Sequence, residues 1–549
     1  LIESIVRIAI IRRWLAVALF CLLGVFGWMS WQELSIEAYP DIADTTAQVI
    51  TQWPGHAAEE VEQQISIPLE RVLNGTPGLE VMRSRSTFGL SMITLVFQDG
   101  IDDYFARQRI RERVTQVDMP ANASPDLDPL TSPIGEIYRY TLQSETHDER
   151  ELRELQRWVV VPSLRSIPGI ADVTNFGGET LQYQLILAPD RLVQYDLSLD
   201  DVITAIQHNS ANAGGSVLVR GDQGLVVRGI GLVRNLEDLG NIVVAEQEGT
   251  PVFLRNLGQL QTGGQPRVGI LGIDETTDGV SGIVLLLRGQ NPSRVLDAVH
   301  ARLDELNGTN GHEAILPDDV RVVPYLDRTW LVETTLHTVS HTMIEGICLV
   351  VIVLVIFLGS FRSAFITALT IPLSLLFAFI LMHLTNVPAN LLSLGAIDFG
   401  IIVDGAIVIV EALLRWREEH PDDAMSEEAA ARTASGVARP LFFGCLIVIT
   451  AYLPLFAFQR VERKLFTPMA FTLGYALGGA LLIAMLLLPG LSLTAFRKPA
   501  KPWHNPLLVW IEKRYHTTVT GAVARPALAL IPGVLAAIVA VVLALTVGR

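Results

Sequence analysis

The run Asp398-Phe399-Gly400-Ile401-Ile402-Val403-Asp404-Gly405-Ala406-Ile407-Val408-Ile409-Val410-Glu411 places three carboxylates inside an apolar stretch, residues 391–414, that is long enough to span a bilayer. A charge at the centre of a membrane helix costs at least ~2.5–3.5 kcal/mol on insertion scales, so three along one span point to use. On a continuous α-helix, Asp404 and Glu411 fall on one face, roughly 10 Å apart along the axis. Asp398 falls about 9 Å further toward the other end, rotated by roughly 120°. These spacings are too long for direct proton hops without water or partner groups. Desolvation favours the neutral carboxyl, so a group in such a span can gain and lose a proton as its surroundings change. A proton-coupled carrier requires that property. No Lys or Arg stands in the middle of another apolar run, so a fixed cationic partner is not expected from elsewhere in this chain.

The composition surrounds this stretch with two kinds of chain. Hydrophobic residues make up 50% and charged residues 18%, with a mean hydropathy of +0.39, as expected of membrane helices joined to a large aqueous region. Cys21, Cys348 and Cys445 all sit in apolar runs without zinc-ribbon spacing, which excludes a disulfide framework and a cysteine metal site. The net charge of −16 is concentrated in residues 32–333, which hold about 23 Arg and no Lys against about 44 acids. The remainder is basic by about five charges. That division fits an acidic domain outside the membrane and basic connections inside, and argues against nucleic acid as a partner.

Seven apolar spans are expected, at 14–31, 343–358, 364–384, 391–414, 441–458, 468–488 and 527–547. Arg7, Arg12 and Arg13 before the first span place the N-terminus in the cytoplasm. The connection before the last span carries Arg497, Lys498, Lys501, Lys513, Arg514 and Arg525, with an amphipathic segment at 506–516 suited to a membrane surface. One loop departs from the rule. Residues 459–467 fall outside yet carry Arg460, Arg463 and Lys464.

Between the first two spans the pattern repeats. Strands are expected at 47–52, 80–86 and 91–97 with helices at 57–73 and 101–117, then a Pro-rich linker at 119–133. A second set follows, with strands at 136–143, 170–176, 282–288 and 320–324 and helices at 148–166 and 291–307. A Gly-rich α/β insertion at 179–278 splits it. The fold class is therefore a polytopic α-helical membrane protein with seven spans and a large α+β region outside the membrane, made of two split βαβ, ferredoxin-like units, one of them interrupted.

Other motifs carry less. Glu333, His337, His341 and Glu345 repeat at i,i+4 and form a stripe whose imidazoles and carboxylates suit a divalent metal; the plainer reading is a solvated helical collar. Gly474 and Gly478 form a GxxxG suited to close helix packing. The nine Met are scattered and form no soft-ligand cluster. Asp398-Phe399-Gly400 lacks every other part of a kinase site, and no nucleophile elbow, phosphate loop or HExxH occurs, so the chain does not read as an enzyme.

A set of short motifs resembles the resistance–nodulation–division (RND) efflux pumps, in particular their heavy-metal branch of cobalt–zinc–cadmium type. They include Ala38-Tyr39-Pro40-Asp41-Ile42, Trp53-Pro54-Gly55, Ile67-Pro68-Leu69-Glu70, Asn74-Gly75-Thr76-Pro77-Gly78, Asn212-Ala213-Gly214-Gly215, Ile371-Pro372-Leu373-Ser374 and, most specifically, the acidic run itself. The resemblance covers the chain end to end and implies N-terminal-half architecture. It implies a cytoplasmic start and first span at 1–31, porter subdomains at 32–133 and at 134–178 with 279–332, and a docking domain at 179–278. It further implies spans two to six at 333–495, a cytoplasmic connector at 496–526 and a seventh span at 527–549. Asp398, Asp404 and Glu411 would form the proton pathway, while Glu333, His337 and His341 remain candidate metal ligands without family support. The implied assembly is an inner-membrane homotrimer with a periplasmic adaptor and an outer-membrane channel. No cofactor is implied; the cargo would be a divalent ion such as zinc, cobalt, cadmium or nickel, with protons as the coupling ion. The family continues into a homologous second half; Leu at position 1 and a last span reaching Arg549 lead to the expectation of a fragment. Two rival readings are a pump for amphiphilic organic compounds and a non-transporting half that needs a complementary chain. Where the family follows the glutamate with Asn, Ala412 stands here.

Overall fold

The computed structural model describes residues 2–37, 40–267, 269–274, 278–395, 397–420, 423–496 and 506–546. Arg497, Lys498 and Lys501 of the connector, and Ala38-Tyr39 of the first family motif, lie outside the described residues. The chain divides into two compact units, one of residues 1–128, 291–293 and 329–549 and the other of residues 129–290 and 294–328.

The first unit contains a four-stranded antiparallel sheet built from β1 (Thr46–Gln52), β2 (Leu79–Thr87), β3 (Leu90–Phe97) and β4 (Ser124–Leu127), in the order β2-β3-β1-β4. Alternation makes one face apolar. Ile93, Leu95 and Phe97 of β3 are buried against Val61, Ile65, Leu69 and Leu73 of the first covering helix and Ala106 and Ile110 of the second. β4 falls inside the stretch read as a linker. Its Pro125 hides it from a strand pattern, yet an edge strand tolerates a residue without an N–H donor.

The first covering helix, residues 58–73, widens into a π turn at Glu62–Ser66, where the Ile67 N–H reaches five residues back to the Glu62 carbonyl. Pro68 supplies the reason: without an N–H it cannot continue the four-residue ladder, and the helix absorbs the defect in one wide turn.

The second unit repeats this plan with β5 (Glu136–Gln143), β6 (Ile170–Gly177), β7 (Val280–Leu286) and β8 (Arg321–Asp327), in the order β8-β5-β7-β6. Counted from each unit's own first strand, the two orders are the same, which is the split βαβ arrangement. Its covering helix also carries a π turn, Gln156–Val160, ahead of Pro162. Buried Gln156 donates from Nε2 to Tyr140 Oη at 2.9 Å and to Asn175 Oδ1 at 2.8 Å. Gly282 leaves room for this pair, since a Cβ there would lie 2.3 Å from Tyr140 Oη. Residues 178–279 interrupt the unit between β6 and β7. They hold three two-stranded antiparallel pairs and a small core around Val202, Leu239, Val252, Leu254 and Leu257.

Helices occupy all seven expected spans. Among the described residues, five helices are long and apolar enough, by length and composition, to cross a membrane: Arg13–Glu33, Thr329–Leu358, Phe361–Leu384, Glu427–Ala457 and Arg460–Leu486. The last apolar helix, Leu530–Thr546, is shorter, and the acidic helix is set apart by its charges. Two details differ from the sequence reading. The span read as continuous over 391–414 breaks, with a short helix at Leu391–Gly395 and the acidic helix at Phe399–Glu419. Gly474 and Gly478 have no atom within 4 Å of where a Cβ would stand, among the described residues. Close packing falls one residue later, at Gly479, whose Cβ would meet Phe377 Cδ1 at 2.8 Å.

Candidate functional site

The acidic helix is amphipathic in an inverted sense. Ile402, Val403, Ala406, Ile409, Val410 and Leu413 pack into the core of the helical bundle. Asp404, Val408, Glu411 and Arg415 are exposed, and their spacing of four, three and four residues makes them one stripe. Gly405 sets how closely the buried face seats, because a Cβ there would come within 3.0 Å of Leu441 Cδ1 on the helix Glu427–Ala451. At its start, the Phe399 ring covers Gly346 of the helix Thr329–Leu358 so tightly that a Cβ would lie 2.7 Å from the ring.

The three acids occupy three different settings. Asp398 is the N-cap, with extended backbone, and its Oδ1 accepts from the Gly400 N–H at 2.8 Å. It therefore ends the series as a cap where the sequence reading carried the helix through it. Asp404 has no hydrogen-bond or ion-pair partner among the described residues. Glu411 accepts from Arg415 Nη2 at 3.1 Å, one turn on along its own helix, so its cation is local where the sequence reading looked only to other spans. Glu411 and Arg415 also line an open groove of about 420 Å³, with Val408, Trp416, Thr433 and Val437 on its walls.

The histidine stripe is not gathered into a metal centre. Among the described residues no group of three or more His, Cys, Asp or Glu stands close enough to hold an ion. The His337 and His341 rings lie 6.0 Å apart, and His341 Nδ1 faces Glu345 Oε1 at 3.5 Å on the exposed side of the helix.

Two groups escaped the sequence reading. Glu37 sits on a two-residue parallel bridge with Asn390, eight residues before the acidic helix's cap. Burial, reinforced by the nearby Asp41 charge, pushes its carboxyl up to about 7. A lone acid beside the first span gives no periodic signal. The second group joins Arg460 and Lys464 to Asp44, Glu80 and Asp99. Its signal was present in the sequence as basic residues in a loop expected outside.

The comparisons with known proteins agree with one another. The family model described as AcrB/AcrD/AcrF matches residues 5–549. "Cation efflux system protein CzcA" of Alcaligenes sp. is 36% identical over 100% of this chain and 52% of its own length. "Cation efflux system protein CusA" of Escherichia coli (strain K12) is 33% identical over 94% of this chain and 50% of its own length. A solved structure titled "X-ray crystal structure of a heavy metal efflux pump, crystal form I" is 53% identical, with a TM-score of 0.85, over 99% of this chain and 52% of that one. The chain spans about half the length of the curated relatives it matches. A family model that matches nearly the whole sequence leads to one conclusion: this chain belongs to the AcrB/AcrD/AcrF family.

Proposed function

We propose that this chain is the proton-coupling half of an inner-membrane antiporter that exports divalent heavy-metal ions such as zinc, cobalt, cadmium or nickel. The observation that carries the reading is the stripe of Asp404 and Glu411, exposed on a helix whose other face is apolar and buried. Protons pass by way of Asp398, Asp404 and Glu411, entering down a gradient worth ~2.3 kcal/mol per 100 mV and elementary charge. Asp404 is the group whose protonation alternates, since it lacks a partner among the described residues, while Glu411 is steadied by Arg415. The names of the relatives, cation efflux proteins and a heavy metal efflux pump, favour metal over amphiphilic organic cargo.

The two sheets serve as porter subdomains and residues 179–278 as a docking domain. The working assembly is a homotrimer completed by a second membrane half, a periplasmic adaptor and an outer-membrane channel. Assembly is favoured by the hairpin of Val217–Arg220 and Gln223–Val226, whose Val217, Leu218, Val219, Leu225 and Val226 are all exposed. The deciding experiment is zinc-dependent proton flux in vesicles containing the complete pump, with Asp404→Asn as the control. Undiminished zinc-coupled flux in that variant would refute the relay. Export of dyes in place of metal ions would favour the organic-cargo reading.

A further inference from the structure

The antiparallel order β2-β3-β1 brings the start of β2, the end of β3 and the start of β1 to one end of the first sheet, with Leu79 opposite Phe97 and Thr46 opposite Val96. Each of these three strand ends carries an acid: Glu80, Asp99 and Asp44. Against them stand two cations from the first two turns of the helix Arg460–Leu486. The Arg460 guanidinium pairs with Glu80. Lys464 Nζ donates to Asp44 Oδ1 at 2.9 Å and to the Ala43 carbonyl at 2.8 Å, and lies 3.8 Å from Asp99 Oδ1. The spacing of four residues puts both cations on one helical face.

The sheet also begins the helix. Gln459, at the cap position, makes no side-chain cap bond, and instead Asp99 Oδ2 accepts from the Arg460 N–H at 2.8 Å. An acid from another element thus satisfies one of the orphan donors of the first turn, where the helix dipole also favours negative charge. Arg460 holds φ +53°, a left-handed conformation that a non-glycine residue keeps only where its surroundings impose it. Further along, Ala470, Leu473, Ala476, Leu477, Ala480 and Ile483 are buried, and this stem packs against the acidic helix. Between head and stem stands Pro468, which cannot donate to the Lys464 carbonyl. The helix can tilt there while its length, and so its axial reach, is preserved.

We propose that Arg460 and Lys464 are positioning residues that clamp the head of this helix to the sheet end, so that axial displacement of the helix is delivered to the sheet. The clamp rests on the proton-coupled reading of the acidic helix for its purpose, and on the contacts above for its existence. It also accounts for two cations of the basic loop that breaks the charge rule: Arg460 and Lys464 are matched by acids of the sheet end.

The test uses the complete pump in vesicles with zinc and a pH-sensitive dye. In the Arg460→Glu/Lys464→Glu variant, proton entry is expected to stay within about twofold while zinc export falls about tenfold or more, lowering the zinc-to-proton ratio. Pairing Arg460→Glu with Glu80→Arg is expected to recover most of that ratio. An unchanged ratio in the double variant, or equal loss of both fluxes, would overturn the proposal. Hydrogen exchange judges the clamp without reference to cargo: amides at 43–46, 97–101 and 459–465 are expected to exchange about tenfold faster in the double variant. Equal exchange there overturns the clamp. A wild-type pump without zinc-dependent proton flux counts against the antiport reading, and the exchange result still decides the clamp.

Discussion

The acids of the acidic helix and the acids at the end of the first sheet are the same side chains put to opposite uses. Asp44, Glu80 and Asp99 each face a cation brought from a distant part of the chain, so that each ties the sheet end to the head of a helix. Asp404 faces none among the described residues, and Glu411 is paired only through an exposed contact on its own helix. Glu37 lies at a further extreme, largely buried with the Asp41 charge beside it. The contrast teaches that partner supply, more than residue type, separates a carboxylate that holds structure from one available to titrate.

Substitutions can break this contrast at each level. The largest effect is expected at Asp404: Asp404→Asn removes the carboxyl on which the proposed relay depends, and metal-driven proton flux should fall about a hundredfold or more, read as dye response in vesicles. Glu37→Gln comes next. A carboxyl raised in the folded state to about 7 from the ordinary 4.5 stabilises the fold below the lower value, and that contribution is lost as pH rises through the upper one. Wild-type protein should therefore melt at lower temperature at pH 8 than at pH 5, by the equivalent of up to ~3 kcal/mol, and Glu37→Gln should flatten that dependence. A flat wild-type profile would show that Glu37 does not titrate in this window.

Asp99→Asn is expected to cost about 1 kcal/mol, because it weakens both the borrowed helix cap and the approach of Lys464; thermal unfolding in detergent reads it directly. Arg415→Ala should cost least, about 0.3–0.5 kcal/mol, as expected of an exposed i,i+4 pair. A larger loss there would place Glu411 in the fixed class, alongside the acids of the sheet end.

The sequence made much of this visible, and the gaps have physical causes. The two split βαβ units were legible because strand alternation and helix periodicity survive an insertion placed between neighbouring strands. β4 was not, since Pro125 and its polar neighbours look like a linker until β1 offers a partner. The three acids were found by cost alone, yet the break at Asp398 was hidden because Ile397 and Phe399 keep the hydropathy continuous while the cap redirects the backbone. Lys464 drew notice only as an exception. Its meaning depended on strand order, which brings together acids at positions 44, 80 and 99 that nothing in a linear reading connects.

The cap at Asp398 has a consequence for timing. The Asp398 Oδ1 satisfies one of the orphan N–H groups of the helix's first turn, that of Gly400. Losing that acceptor removes about 1 kcal/mol from the start of the helix, enough to change how often its first turn opens. Phe399, in that turn, is wedged over Gly346. This one side chain is thus tied to the fraying rate of a helix end, and Asp398→Ala should register first as a change in how long the opening turn stays wound.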